Sequence, residues 1–366
     1  MIPIYKPYIS KYKSSAIAAI NDEWISNYGI NIDLATNKMN EILKTKYCIM
    51  MNNGTSATHA LFVALKFKHP EIQKLYVPNY VFISPWNCAL IEYDKSQLEV
   101  MRTDSDTLNI DTSEGYIKSL DTGTAVLIVH NLGNIVNVPR LKRIRPDIIF
   151  IEDNCEGLFG KYEGVYSGTQ SLCSAVSFYA NKTITTGEGG AFFTNDLDIY
   201  KYIKKYYSHG MSEVRYIHDV RGTNYRMTNI QAGFLYDQLC DIEHILEKKK
   251  TIITNYLFLL QPLLQSNKVK LLESEFGTEA SNWMFILIVP GVDYNKLENA
   301  FNIKNIQTRP LFYDIHKHSH LISIKKDIYE NKDGIINNGL MLPSYPSLSF
   351  NEQEYIISVL RDYLER

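Results

Sequence analysis

From Ser10 to about Leu239, short and continuous apolar runs alternate with stretches of helical periodicity. The clearest runs are Leu75-Tyr76-Val77-Pro78, Ala125-Val126-Leu127-Ile128-Val129, Ile148-Ile149-Phe150-Ile151 and Ala191-Phe192-Phe193-Thr194. A strand covered on both faces shows such a run, because both sets of side chains are shielded from water. With helices between them, the runs predict an α/β fold built on a largely parallel sheet. The pattern then changes. Ile242 to Leu260 has apolar residues at helical spacing, Met284 to Val289 reads as a strand stopped by Pro290, and Asn351 to Leu364 reads as a final helix. A chain of 366 residues exceeds most single cores. We expect a large domain over residues 1–240, then a linker helix and a smaller α+β domain over 241–366.

Composition narrows the partners. The chain has 38 basic and 40 acidic side chains, a balance that leaves no broad electrostatic footprint for nucleic acid or an anionic membrane. Cys48, Cys88, Cys155, Cys173 and Cys240 are widely spaced and form no CxxC pair. They point to a reducing compartment and away from structural zinc, so no metal is expected. The opening Met1-Ile2-Pro3-Ile4 carries no apolar leader pattern, and no stretch approaches the roughly 20 apolar residues of a membrane span. A soluble, intracellular (cytoplasmic) protein is the expectation.

Three segments carry chemistry. Ser177-Phe178-Tyr179-Ala180-Asn181-Lys182 runs into Thr186-Gly187-Glu188-Gly189-Gly190 and sets one lysine in an apolar, strand-like setting. A desolvated lysine loses its proton more readily and becomes a nucleophile for carbonyls, which is the Schiff-base chemistry of pyridoxal phosphate. Alone, the segment fits a surface lysine beside a tight turn better. Upstream, Ile148 to Ile151 delivers Glu152-Asp153-Asn154-Cys155-Glu156 at a strand's carboxyl end, where open α/β sheets bind ligands. Pyridoxal phosphate needs such an acid to keep its ring nitrogen protonated. Alone, Asp153 reads as a turn cap. The third segment, Asn53-Gly54-Thr55-Ser56-Ala57, lies between the apolar Tyr47 to Met50 and Ala60 to Leu65. Strand, small polar turn and helix are the parts of an anion site, with free amides and the positive helix end facing a phosphate. The spacing is neither that of a P-loop nor GxGxxG.

Cradle, acid and lysine in one chain are far more specific than each alone, and at this point the sequence resembles the DegT/DnrJ/EryC1/StrS sugar aminotransferases. Beyond those segments, the likeness rests on Trp24-Ile25-Ser26 with Gly29, on Gly222-Thr223-Asn224-Tyr225-Arg226-Met227 leading to Gln231-Ala232, on Gln307-Thr308-Arg309-Pro310 and on Leu342-Pro343-Ser344. The resemblance implies fold type I, that is, an aspartate-aminotransferase-like large domain with a mainly parallel seven-stranded sheet and a smaller C-terminal domain. It also implies a homodimer with shared active sites. Glu156 and the His218 and His316 regions look most like the branch that aminates C4 of nucleotide-linked 4-keto-6-deoxyhexoses, the perosamine and viosamine synthases.

Residue by residue, the resemblance implies that Lys182 forms the Schiff base and shuttles the proton while Asp153 pairs with the pyridinium. Thr55, Ser56 and Ser177 hold the phosphate, Phe82 stacks on the ring, and Glu156 lies near the phenolic oxygen or the substrate. Asn224 reaches the phosphate from the neighbouring subunit. Ser26, His218, Arg226, Arg309 and His316 are the substrate candidates, with Lys161 as a further cation for a nucleoside diphosphate. The cofactor passes through pyridoxamine 5'-phosphate, and the partners are an amino-acid donor, by family habit L-glutamate, and a nucleotide-linked keto sugar. Members that eliminate water at C3 carry His in place of this lysine, so Lys182 favours amine transfer. Amination at C3 of a 3-keto sugar shares every cofactor residue and stays open, as does a non-catalytic regulatory protein that binds the cofactor. Pro85-Trp86 and Asp314 depart from the family pattern around the sugar pocket.

Overall fold

In the computed structural model, which describes residues 1–324 and 335–365, the apolar runs become one seven-stranded sheet. Its strands are β1 (Tyr47–Met51), β2 (Leu75–Pro78), β3 (Leu98–Met101), β4 (Ala125–Val129), β5 (Ile149–Asp153), β8 (Cys173–Ser177) and β9 (Gly190–Thr194), in the order β1-β9-β8-β5-β4-β2-β3. Every residue of β4, β8 and β9 is buried, as continuous apolar or small-residue runs require. Pairs β2–β3, β2–β4, β4–β5 and β5–β8 are parallel, so the mainly parallel sheet stands. The exception is β9, antiparallel to both β8 and β1. That reversal has a positional consequence. A parallel pair needs a crossover back to the opposite edge, whereas an antiparallel pair is joined by a loop that stays at one edge. The β8–β9 loop, with Lys182 in it, therefore remains at the carboxyl edge where β5 ends in Asp153.

The helix Gly54–Lys68 leaves the same edge from β1 and buries every residue from Ser56 to Leu65. It packs into the core formed with Ile49, Leu127, Ile151, Ala175 and Phe192 of the sheet. Between β5 and β8, β6 (Lys161–Tyr162) and β7 (Val165–Tyr166) form a hairpin that pairs with β10 (Thr278–Glu279). The long helix Ile242–Gln265 runs five residues past the predicted Leu260, because Leu263 continues its buried stripe and Pro262 falls only in the last turn. It packs Tyr256, Leu259 and Leu260 against a second, antiparallel sheet of β11 (Phe285–Ile288), β13 (Gly339–Leu342) and β12 (Arg309–Pro310). The final helix, Phe350–Leu364, starts at the Ser349 cap, whose hydroxyl accepts from Glu352 N while the Glu352 carboxylate accepts from Ser349 N. Among the described residues, no helix is long and apolar enough to cross a membrane.

Candidate active site

A cavity of about 880 Å³ lies at the carboxyl edge of the large sheet, a size suited to a cofactor and part of a substrate. One wall is the start of the helix Gly54–Lys68. Asn53 caps it, its side-chain oxygen accepting from Ser56 N at 2.8 Å, and Ser84 Oγ donates to Thr55 Oγ1 at 3.1 Å. Gly54 is required by close approach: a Cβ there would sit 2.6 Å from Ser177 Cβ and 2.8 Å from Ser177 Oγ. The glycine thus brings the helix N-terminus and the Ser177 hydroxyl to one corner, and Thr55, Ser56 and Ser177 all line the cavity.

Asp153 is buried at the end of β5 with each oxygen holding one hydrogen bond. Thr58 Oγ1 donates to Oδ2 at 3.0 Å and Cys155 N donates to Oδ1 at 3.0 Å. Each oxygen keeps a lone pair for a donor in the cavity, which Asp153 also lines. Burial drives the neighbouring Cys155 thiol well up, and the Asp153 charge adds to the effect. Cys155 is thus a neutral wall.

Lys182 follows a turn in which its own N donates to Tyr179 O at 2.9 Å. Its Nζ stands 3.7 Å from Glu156 Oε1 and 4.3 Å from the centre of the Trp283 ring. The Lys182 side chain is only 12% exposed, so the desolvated setting expected from its neighbours is present. Glu156 accepts from Leu132 N at 2.8 Å through its other oxygen. Burial pushes its carboxyl up, with the Lys182 ammonium and the Leu132 N–H pulling the other way. Trp283 and its neighbour Ser281 escaped the sequence reading, since nothing in Ser281-Asn282-Trp283 marks them as partners of a residue 100 positions earlier.

The remaining predicted residues divide. Phe82 lines the cavity, is 55% exposed and lies 6.1 Å, ring centre to ring centre, from Phe312. Arg309 lines it too, with its guanidinium 5.2 Å from the centre of the Tyr5 ring. His316 does not line it: its ring nitrogens face Asp314 Oδ1 and Ile324 O, both at 3.0 Å, and His318 takes the lining position. Lys161 lies on β6, 3.5 Å from Glu279, away from the cavity. Ser26, His218, Asn224 and Arg226 also stand outside the lining of their own chain's cavity. Ser26 O accepts from Asn229 N, and His218 Nδ1 lies 2.9 Å from His209 O. Arg226 Nε donates to Asn224 Oδ1 at 2.9 Å. Asn224 and Arg226 nevertheless hug the cradle, because Asn52 N donates to Tyr225 O at 2.8 Å and Met51 bridges to Arg226.

The donor set fits pyridoxal phosphate. An anion corner, a buried carboxylate with free lone pairs and a nearly buried amine share one cavity, and Asn181 Oδ1, on the same wall, is buried without a partner among the described residues. Behind the wall, Glu152 is fully buried on the far face of β5, where His130 Nε2 donates to it at 2.8 Å. Val136 N donates to His130 Nδ1, which assigns the ring proton to Nε2.

The family described as the DegT/DnrJ/EryC1/StrS aminotransferase family matches residues 9–361. GDP-perosamine synthase of Escherichia coli O157:H7 is 31% identical over 367 residues, covering 99% of this chain and 98% of that protein. GDP-perosamine synthase of Vibrio cholerae is 28% identical over 378 residues, covering 99% of each. Among solved structures, Helicobacter pylori PseC, an aminotransferase involved in the biosynthesis of pseudoaminic acid, superposes with a TM-score of 0.87 at 19% identity and covers 99% of this chain and 98% of its own.

Proposed function

Since the chain belongs to the DegT/DnrJ/EryC1/StrS aminotransferase family, we propose that it aminates C4 of a nucleotide-linked 4-keto-6-deoxyhexose, with L-glutamate as the amino donor. The product is a 4-amino-4,6-dideoxyhexose of the perosamine or viosamine type, carried on GDP, UDP or dTDP. The observation that carries this is the convergence of Lys182, Asp153 and the Gly54 corner on one cavity. The GDP-perosamine synthase relative supports the choice of carbon.

When bound, pyridoxal 5'-phosphate supplies an electron sink and carries the amino group between the two substrates as pyridoxamine 5'-phosphate. Thr55, Ser56 and Ser177 would hold its phosphate at the helix N-terminus. Asp153, kept in place by Thr58 and Cys155 N, would pair with its protonated ring nitrogen, and Phe82 would lie against the ring. The Lys182 amine would be the attachment point and the base that moves a proton to and from the reacting carbon. Glu156, the only carboxyl group within 4 Å of that amine among the described residues, stabilises its ammonium form between transfers. Arg309 meets the diphosphate or the donor carboxylate at the cavity wall.

In this reading the protein is a cytoplasmic homodimer with shared sites. Asn224 then reaches the partner's phosphate, and Arg226, His218 and Ser26 act across the interface. The position of Asn224 and Arg226 beside the cradle, and of all four outside their own chain's cavity, supports that arrangement. His316 contributes by holding the turn that presents His318. We also take residues 1–240 as the cofactor-binding domain and 241–366 as the linker helix and small domain.

The test is spectroscopic. Protein loaded with pyridoxal phosphate should show a visible absorption band that glutamate bleaches and a 4-keto nucleotide sugar restores. A 3-keto sugar that restores it as fast would move the reaction to C3. Borohydride should fix the cofactor to Lys182; the same adduct in Lys182→Ala would sink the lysine assignment.

A further inference from the structure

Trp283 lies against Lys182, its ring centre 4.3 Å from Nζ, and it is pinned at three points. Its indole Nε1 donates to Asn181 O at 3.0 Å, beside Lys182 itself. Its backbone N donates to Ser281 Oγ at 3.3 Å, and Ser281 Oγ donates to Glu156 O. Its carbonyl accepts from Lys249 Nζ at 2.8 Å. The Glu156 carboxyl and the Trp283 ring, both against the Lys182 amine, are thereby tied to each other through Ser281.

Lys249 is the unusual member. It lies in the long helix Ile242–Gln265, is 3% exposed, and has no carboxylate partner among the described residues. Its second hydrogen bond goes to Ser344 O at 2.6 Å, within the Leu342-Pro343-Ser344 segment singled out in the sequence. Two carbonyls and one amine match even when the amine is neutral, because a neutral NH₂ still carries two N–H donors. A buried lysine without an ion-pair partner is costly, and this one spends its donors on the backbone of Trp283 and of the strand end that follows β13.

We propose that Trp283 is a positioning residue for Lys182, its π face and Glu156 holding the freed ammonium in place, and that Lys249 anchors Trp283 from behind. An ammonium over an indole face at 4.3 Å is within cation–π range, and a site this dry strengthens the attraction. The charged and titratable groups facing Lys182 besides Glu156 are Asp153 and Cys155; Tyr179, Glu188, Arg309 and His318 line the same cavity farther out. The inference rests on Lys182 being the reactive amine, yet its test needs neither substrate nor cofactor, so the two readings fail separately.

The experiment is competitive labelling of cofactor-free protein with a trace amine-acylating reagent at pH 8, read peptide by peptide, with exposed Lys250 on the same helix as internal reference. Trp283→Leu removes the π face but keeps an apolar side chain. It should label Lys182 about two- to thirtyfold faster than wild type, the range of a desolvated cation–π contact. Trp283→Phe, which keeps a ring, should stay within about threefold of wild type. Lys249→Met should speed labelling in the same direction as Trp283→Leu. Wild-type labelling in Trp283→Leu, or equal labelling in the Phe and Leu variants, would overturn the positioning role. Wild-type labelling in a folded Lys249→Met would overturn the anchor. Should Trp283→Leu not fold, Trp283→Phe and Lys249→Met decide alone: a Phe variant faster than Lys249→Met counts against the proposal, and the reverse order supports it.

Discussion

Replacing Lys249 by Met turns a buried amine into an apolar chain of similar length, and the consequence depends on pH. Burial pushes the Lys249 ammonium down from 10.5 to about 7. The folded protein thus releases this proton near neutrality, whereas the unfolded chain keeps it until far higher pH. Between those values the unfolded state binds more protons, so stability from this group rises with pH. Applied to these two values, linkage gives a gain of about 2 kcal/mol from pH 7 to pH 9 and only a few tenths from pH 6 to pH 7, where both states are largely protonated. The Met variant has no such term. It also leaves Trp283 O and Ser344 O without their donor, a cost of about 1 to 3 kcal/mol each that does not change with pH. The assay is denaturant unfolding of both proteins side by side at pH 6, 7, 8 and 9, with the difference in free energy plotted against pH. Wild type should gain on the variant steadily above pH 7, with a bend near 7. Parallel curves would refute the reasoning, because they would mean that Lys249 keeps its proton in the fold and is solvated in some other way.

Two further substitutions test the walls of the cavity. Gly54→Ala places a Cβ 2.6 Å from Ser177 Cβ, and because neither the short Ser177 side chain nor its strand can retreat far, the corner must open. The fold should lose about 1 to 3 kcal/mol in denaturant melts, and cofactor affinity should fall as well because the corner is displaced, read by titrating pyridoxal phosphate. His130→Phe keeps the ring volume but removes the donor to Glu152, which burial disfavours as a charge and the His130 hydrogen bond holds below the usual carboxylate range. Gly168 N and the Tyr162 hydroxyl still donate to Glu152, so stability at pH 7 should drop by about 1.5 to 3 kcal/mol in denaturant melts. Because a depressed carboxyl contributes fully above its unfolded pKa and loses that contribution as pH falls toward its folded value, the loss should shrink as pH falls below about 4.

Most strands of the large sheet could be read because each is a local apolar run, whereas Glu99 interrupts Leu98–Met101 and hides that edge strand; the acid could be read because Asp153 directly ends a run. The phosphate corner was legible for the same reason: Asn53-Gly54-Thr55-Ser56 spans a single strand-to-helix turn. The reversal of β9 was hidden, since an apolar strand reads the same in either direction, and with it went the reason the Lys182 loop stays at the carboxyl edge. The two histidines at 316 and 318 show the limit at its finest. Two residues apart in one turn, they differ only in which way the backbone faces them, and the Asp314 carboxylate turns His316 aside.

By itself, then, the chain determined its layers, the order of cradle, acid and lysine, and the chemistry those three imply, because strand burial and helix caps depend on neighbours in sequence. Only the tertiary structure decided what closes around the lysine. Glu156, Trp283 and Lys249 come from three separate segments, and no periodicity records them. Their meeting follows from sheet order and from the long helix that carries Lys249 beneath Trp283, where, among the described residues, its amine bonds to backbone carbonyls alone.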